Sequence, residues 1–189
     1  SEALEFLGEV LNGEWQRMPL SKGQVRYTLA SHRLSFGADT LEVRGPTSAK
    51  LGAVLAVNDY QIERTEPGHL NLLLTLPFPY TLTQSFAILP RQNALSWMQK
   101  QQRLLLNAGD AGTSQIEAIN AATDDLVSNR IVFGDHHLSI VVQADTETEL
   151  RSRIAMTRAA LSESGFVVSR ESGALEAAYF SNLPGNFRM

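Results

Sequence analysis

Side chains that could bind a metal ion cluster at one place in the chain, the run Gly134-Asp135-His136-His137. Adjacent residues in a strand point to opposite faces, so His136 and His137 are poorly placed to share one ion. Asp135 and His137 could lie on one face, but a zinc site needs further ligands, which would have to come from elsewhere. We therefore interpret the run as polar residues at the start of a strand. His32 and His69 stand in turn-like contexts and receive the same interpretation.

Motifs for nucleotide binding and nucleophilic catalysis are missing from the sequence. A phosphate-binding loop needs Gly-x-x-x-x-Gly-Lys-Ser/Thr, because backbone N–H groups, the lysine and the hydroxyl hold phosphates and Mg²⁺. No such run occurs, nor does Gly-x-Gly-x-x-Gly or Gly-x-Ser-x-Gly. Asp124 and Asp125 are adjacent on a predicted helix and do not face each other. Glu147 and Glu149 suit a helix start. The sequence thus predicts that this chain is not itself an enzyme and holds no cofactor or metal.

Composition limits the classes of partner. The 189 residues are 43% hydrophobic and 19% charged, with a formal net charge of -4 and no cysteine. The negative charge argues against broad nucleic-acid binding, and the missing cysteines exclude disulfides and thiolate zinc sites. The longest apolar stretch, Leu70 to Leu82, is too short to span a bilayer and is broken by Pro77 and Pro79. We expect a soluble chain without a transmembrane segment.

Hydrophobic periodicity predicts the elements that would position functional residues. Helices are predicted for Ala3–Leu11, Glu66–Leu76, Pro90–Asn107, a segment beginning at Ser114, Asp145–Gly165 and Gly173–Ser181. Strands are predicted for Gln24–Ala30, His32–Gly37, Asp39–Gly45, Lys50–Glu63, Pro79–Leu89, His136–Ala144 and Phe166–Arg170.

This order predicts an α+β fold. From Lys50 onward, two strand–helix–strand units joined by a helical pair suggest a ferredoxin-like arrangement, with helices packed on a mixed or antiparallel sheet. A short β-meander precedes them, so residues 1–47 could form a β-rich subdomain. Otherwise we expect residues 1–189 to form a single domain.

Two apolar segments are candidates for contact with a partner. The helix around Trp97 and Met98 has apolar residues on more than one side, so it is either buried on two sides or holds one side for a partner. The rigid corner Leu-Pro-Phe-Pro-Tyr would expose Phe78 and Tyr80. The meander from Gln24 to Arg44, with its free edge, is a further candidate.

Three stretches resemble one known family. They are "VNDYQIERTEPGHLNLLLTLPFPYTLTQSFAIL" (residues 57–89), "FGDHHLSIVV" (residues 133–142) and "ESGALEAAYFSNLPGNFRM" (residues 171–189). Their order and spacing are similar to those of the CagE/TrbE/VirB family, the large ATPases of type IV secretion systems. The resemblance extends from about Ser21 to Met189.

The resemblance implies an explanation for the last residues. In that family the Leu-Pro-Gly-Asn run comes near the end of the N-terminal region, before a RecA-like motor. We therefore expect an excised N-terminal, non-motor domain, in which residues 183–189 begin the connection to a missing ATPase domain. The implied connection residues are Leu183, Pro184, Gly185, Asn186 and Phe187. ATP and Mg²⁺ are expected only in the missing motor.

The resemblance also implies a function. Such a domain would dock the motor to inner-membrane channel subunits for DNA or protein export, would lie on the cytoplasmic side of the inner membrane as a peripheral protein, and could self-associate. Two other interpretations stay open. One is a stand-alone small-molecule-binding or regulatory α+β domain. The other is an enzyme whose catalytic residues are dispersed along the chain.

Overall fold

The structure, a computed structural model, describes residues 2–19, 22–62, 64–108 and 113–186. Within these ranges the strands are β1 (Arg33–Phe36), β2 (Leu41–Arg44), β3 (Ala49–Tyr60), β4 (Tyr80–Ile88), β5 (Gly134–Ala144) and β6 (Phe166–Arg170). The helices are α1 (Glu2–Asn12), α2 (Arg26–Leu29), α3 (Arg91–Ala108), α4 (Thr113–Val127), α5 (Glu147–Glu163) and α6 (Leu175–Phe180). A short 3-10 helix covers Asn71–Thr75.

The strands form one sheet in the order β1-β2-β3-β5-β4, and β6 also pairs with β3. Leu55 of β3 pairs with Ile140 of β5 on one side and with Arg170 of β6 on the other, both antiparallel. The other end of β3 pairs with β2 through Leu41 and Gly52. The α+β class is confirmed, while the ferredoxin-like description stays a prediction.

Alternation along the two central strands divides the core into two layers. Leu55 and Ile140 face a cluster completed by α5, whereas Val54 and Val141 face a second cluster completed by α6. Because β3 and β5 are covered on both faces, they read as nearly continuous apolar runs, as expected of buried strands. Helix α5 contributes a stripe of buried side chains to the first layer: Leu150, Ile154, Thr157 and Leu161.

The chain divides into two compact units. The larger unit contains residues 1–84 and 137–189, and the smaller unit contains residues 85–136. The chain therefore passes into the smaller unit within β4 and back into the larger unit within β5, and these two strands are neighbours in the sheet. Residues 1–47 lie in the larger unit, and their strand β2 continues its sheet through β3. The 1–47 subdomain stays a prediction.

Two predicted elements differ in the structure. Gln24–Ala30 is not a strand, because it contains the helical turn α2. The side chain of Asn12 explains why no strand partner is needed: its amide donates to the carbonyl of Leu29 at 2.9 Å, and its oxygen accepts from the N–H of Ser31 at 3.0 Å. These side-chain bonds satisfy backbone groups that a neighbouring strand would otherwise satisfy.

The helix predicted for Glu66–Leu76 is shorter than expected. Gly68 has a φ of 95°, a left-handed conformation that an α-helix excludes, and its carbonyl accepts the N–H of Asn71 at 2.8 Å. The turn leaves room only for the 3-10 helix Asn71–Thr75, which buries Leu73.

Candidate functional site

The polar candidates do not assemble into a catalytic or metal centre. Within the described residues, no group of three or more His, Cys, Asp or Glu side chains could hold a metal ion. Asp135 is exposed, and the Nε2 atom of His137 lies 3.4 Å from the hydroxyl of Ser181 in the larger unit. The imidazole of His32 is bonded to Ser31 and, at 3.1 Å, to Glu14. The contacts of His137 and His32 lie within the larger unit and are structural.

The smaller unit has a hydrophobic core of its own. Ala94 and Met98 of α3 pack with Leu126 of α4, and all three are buried. Ile131 and Phe133, which precede β5, pack against this cluster. The Arg91 guanidinium binds the carbonyl of Val127 at the end of α4, where a cation also complements the helix dipole. The helical pair and the strands beside it thus form a compact unit.

Trp97 and Met98, adjacent in sequence, lie about 100° apart around the axis of α3 and have different surroundings. Met98 is 3% exposed and belongs to the core, whereas Trp97 is 56% exposed. Of the two possibilities for this helix, the structure therefore shows burial on one side and exposure of Trp97 on the other. Met98 cannot reach a partner in this conformation. Trp97 stays a candidate.

The outer side of α3 combines apolar and cationic residues. Trp97, Lys100 and Leu104 are three and four residues apart, so they share one side of the helix, and Leu104 is 52% exposed. Arg103 is exposed beside them. We call these four residues the α3 stripe. Helix α3 contains three cations and no acid, whereas α4 contains three acids and no cation.

A second apolar surface in the smaller unit was not predicted. Phe86 and Ile88 point to the same face of β4 and are 55% and 65% exposed. Val132 is 66% exposed between two neighbours that pack onto the helical core. The N–H of Leu89 donates to the carbonyl of Phe133 at 2.9 Å, which holds the two segments side by side. We call Phe86, Ile88 and Val132 the apolar sheet face.

Gly134 keeps the apolar sheet face flat. A Cβ atom at this position would collide with the ring of Phe86 and with the carbonyl of Ala87. The ring therefore lies directly on the backbone of β5. The sequence contains a signal for this surface, since Phe86 and Ile88 alternate with small residues, but alternation alone does not tell which face is left uncovered.

Phe78 and Tyr80, the other predicted docking residues, lie in the larger unit. Phe78 is 9% exposed beneath the guanidinium of Arg153, whose carbon atom lies 5.2 Å from the ring centroid. Tyr80 is half-buried and lines a cleft of about 220 Å³. Phe78 is thus a core residue with a cation–π contact, and Tyr80 stays a candidate.

The cations of this cleft are already engaged within the chain. Arg153 donates to the carbonyl of Gln143 at 2.6 Å and pairs with Glu149 at 2.5 Å. The ammonium of Lys50 donates to the carbonyl of Gly13 at 3.2 Å. The carboxylates of Glu9 and Asp145 complete the charged lining. The cleft has room for a small molecule but offers no concentrated charge to bind one.

The predicted connection residues form a turn after α6. The N–H of Asn186 donates to the carbonyl of Leu183 at 3.0 Å, and Gly185 has a φ of 83°, which glycine adopts without strain. Pro184 is exposed. Phe187 lies outside the described residues. A connecting role for these residues stays a prediction.

Two buried side chains fix α6 just before this turn. Asn182 accepts the hydroxyl of Thr83 at 2.7 Å and donates to the carbonyl of Ala178 at 3.0 Å. The hydroxyl of Tyr179 donates to the carbonyl of Leu11 at 2.9 Å, and the carbonyl of Val10 lies 3.1 Å away. Burial raises the pKa of Tyr179 to about 12. The last helix is thereby tied to both α1 and β4.

Membrane-spanning segments were also sought. None of the helices in the described part of the chain is both long enough and apolar enough to cross a bilayer.

Comparison with known proteins finds one family profile and several relatives that match the chain. The sequence profile of the family described as "CagE, TrbE, VirB family, component of type IV transporter system" matches residues 1–189. The chain is 40% identical to a type IV secretion system protein virB4 of Bartonella henselae, over 99% of this chain and 24% of that protein. It is 37% identical to a protein virB4 of Rhizobium radiobacter, over 100% and 24% respectively. It is 33% identical to the type IV secretion system protein PtlC of Bordetella pertussis, over 99% and 23%. The chain spans about a quarter of the length of these curated relatives.

Proposed function

The chain belongs to the CagE, TrbE, VirB family of type IV transporter components, and from this premise we propose that it is the N-terminal assembly domain of a type IV secretion ATPase. It would couple a motor domain outside these 189 residues to inner-membrane channel subunits during export of DNA or protein. ATP and Mg²⁺ would bind the motor and not this chain. We place the domain on the cytoplasmic side of the inner membrane, as a peripheral component.

The observation that carries this proposal is the exposure of large apolar side chains in the smaller unit. Within residues 85–136, these side chains are between 49% and 66% exposed: Phe86, Ile88, Trp97, Leu104, Leu106, Val127 and Val132. Scattered single apolar residues are normal on a surface, whereas several on one small unit indicate a place where another molecule binds. Assembly is therefore the activity that this unit supports best.

The apolar sheet face is the best candidate for the protein contact. Phe86, Ile88 and Val132 are uncharged, and the core of a protein interface is depleted of charged residues. The contact of Phe86 with Gly134 places the exposed ring on the backbone of β5, where a partner can pack against it. We propose that an apolar segment of an inner-membrane subunit covers this face.

The test replaces two residues of the apolar sheet face, in an Ile88→Ser/Val132→Ser variant. Neither residue belongs to the core of the smaller unit, so we expect a folded protein. Capture of the co-expressed inner-membrane subunits of the same secretion system should fall about tenfold or more, since central apolar residues dominate interface energies. The measurement is affinity capture in mild detergent, with circular dichroism as the check on folding.

Leu74→Ser/Met156→Ser is the matched control. Both residues are exposed, at 77% and 41%, and both lie in the larger unit. This pair should leave capture unchanged. Equal capture by all three proteins would refute docking through the apolar sheet face. Tyr80→Ala and Trp97→Ala in the same assay test the two remaining predicted docking residues.

A second candidate function is small-molecule binding or regulation, favoured by the cleft beside Tyr80. Lys50 and Arg153 already donate hydrogen bonds to backbone carbonyls, so the cleft has few free polar groups to bind a ligand. We therefore rank small-molecule binding below assembly. A saturable rise in melting temperature with a metabolite, abolished by a substitution at Thr81 in the cleft wall, would reverse that order.

A further inference from the structure

The α3 stripe differs from the apolar sheet face because it contains charge. Lys100 lies one turn after Trp97 and one turn before Leu104, on the same side of α3. Arg103 adds a second cation next to them. Among the described residues, neither Lys100 nor Arg103 lies within ion-pair distance of a carboxylate, whereas Arg130 of the same unit pairs with Asp125 at 2.5 Å. Within the part of the chain that the structure describes, the stripe therefore presents two positive charges without a carboxylate partner beside two exposed apolar side chains. The Nε atom of Arg103 donates to the carbonyl of Gln99 at 3.4 Å.

We propose that the α3 stripe binds the surface of an anionic phospholipid membrane. Trp97 and Leu104 would enter the boundary between headgroups and acyl chains, where an indole ring finds both apolar surroundings and a hydrogen-bond acceptor. Lys100 and Arg103 would contact lipid phosphates. A basic helix with an apolar side is the usual element for such a surface.

The position of Lys100 favours lipid over a protein partner. A lysine between the two apolar anchors would have to enter the centre of a protein interface, where lysine is depleted because its ammonium loses hydration. At a membrane surface the same ammonium stays hydrated among phosphates, while its methylene stem covers apolar surface. The order Trp97, Lys100, Leu104 is thus compatible with a headgroup layer and costly in a dry interface.

This contact is weak by itself. Two cations and two apolar side chains contribute less binding free energy than stable attachment to a membrane requires. In addition, the chain's net charge of -4 opposes binding to an anionic surface. Lipid binding would therefore add to protein docking and orient the smaller unit against the membrane. Vesicles contain no secretion subunit, so lipid binding and the proposed docking function are tested separately.

The experiment measures cosedimentation of the 189-residue chain with vesicles of phosphatidylethanolamine and phosphatidylglycerol in a three-to-one ratio. Binding is expected, and it should fall as salt screens the headgroups. Vesicles of phosphatidylcholine alone should bind much less. In the Lys100→Gln/Arg103→Gln variant the affinity should fall roughly 30-fold if each cation contributes its usual share near an anionic surface.

Arg64→Gln/Arg158→Gln is the matched control, because it removes two exposed arginines of the larger unit and changes the net charge equally. Its affinity should equal that of the parent chain. A spectroscopic measurement locates the contact. The sequence contains two tryptophans, Trp15 and Trp97, so a Trp15→Phe background leaves Trp97 as the single reporter. Its emission should shift to the blue when vesicles containing phosphatidylglycerol are added.

Three results would overturn lipid binding by the stripe. They are no cosedimentation with anionic vesicles, an equal loss in the stripe variant and the control, and an unchanged Trp97 emission. If the 189-residue chain does not bind vesicles while the Lys100→Gln/Arg103→Gln variant loses capture of inner-membrane subunits, the stripe contacts an acidic protein segment instead.

Discussion

At the scale of single residues, Tyr179 fixes the first helix to the last. Its hydroxyl is buried and donates to the carbonyl of Leu11, one of the terminal carbonyls of α1 that no helical N–H can reach. The free energy of unfolding at neutral pH should fall by about 1–2 kcal/mol in Tyr179→Phe, because a buried acceptor loses its donor. Chemical denaturation of this variant, with the exposed Tyr27→Phe as control, measures the difference.

The same residue gives a pH dependence. Burial raises the pKa of Tyr179 from 10.0 to about 12, so the folded protein holds the phenolic proton more tightly than the unfolded chain does. The associated stability is fully present below pH 10 and is lost as the pH rises to about 12. Tyr179→Phe should therefore lose less stability across this interval than the parent chain. Burial also raises the pKa of Tyr60, so a smaller decline should persist in the variant.

A decline of the same size in Tyr179→Phe and the parent chain would assign the whole effect to other groups. Denaturation midpoints collected at several pH values through this interval distinguish the two outcomes, provided that the slope of the unfolding free energy against denaturant concentration stays constant.

At the scale of elements, one side of helix α3 contributes to stability and another side is a candidate for binding. Met98→Ala removes a buried side chain from the core of the smaller unit and should destabilise it by about 2–5 kcal/mol. Trp97→Ala, one position earlier, removes an exposed side chain and should change stability by less than about 1 kcal/mol. Hydrogen exchange should accelerate in residues 85–108 and 113–136 of Met98→Ala, and not in α5. Acceleration in α5 as well would mean that the two units unfold together.

The elements also show how far the sequence leads. Period-3.6 patterns in α3 and α5 and the apolar runs of β3 and β5 are strong enough to predict these elements closely, because they follow from burial on one side or on both faces. The strand predicted around Tyr27 is wrong. Over only four residues, the pattern of apolar and polar residues does not distinguish a helix from a strand. Its conformation is decided by Asn12, which is distant in sequence and supplies hydrogen bonds that no local pattern reveals.

The candidate surfaces were less predictable than the elements. Trp97 and Met98 were singled out because apolar residues occur on more than one side of α3, but which of these sides is covered depends on where α4 packs. The apolar sheet face depends on the return of the chain at Phe133 beside β4, a long-range pairing that the sequence does not show. The family resemblance, predicted from about Ser21 onward, was confirmed, and the match extends over residues 1–189.

At the scale of the whole molecule, the smaller unit interrupts the larger one in sequence and contains the end of β4 and the start of β5. Replacing residues 85–136 with Asn-Gly removes the end of β4 and the start of β5. The remaining parts of the two strands, residues 80–84 and 137–144, should close as a hairpin, because this dipeptide suits a two-residue turn. We expect the remaining chain to keep cooperative thermal unfolding and to lose binding both to inner-membrane subunits and to anionic vesicles. A remainder that fails to unfold cooperatively would show that the larger unit requires the smaller one.

The insertion has a consequence for the order of folding. Pairing β4 with β5 in an extended chain requires closure of the long loop that residues 85–136 would form, and the entropy of closure opposes it. Contacts between α3 and α4 are local, and local contacts form faster than distant strand pairings. Once this helical pair has folded, Ser85 and His136 are held by a compact structure instead of a flexible loop. We therefore expect the core around Met98 to form before β4 pairs with β5.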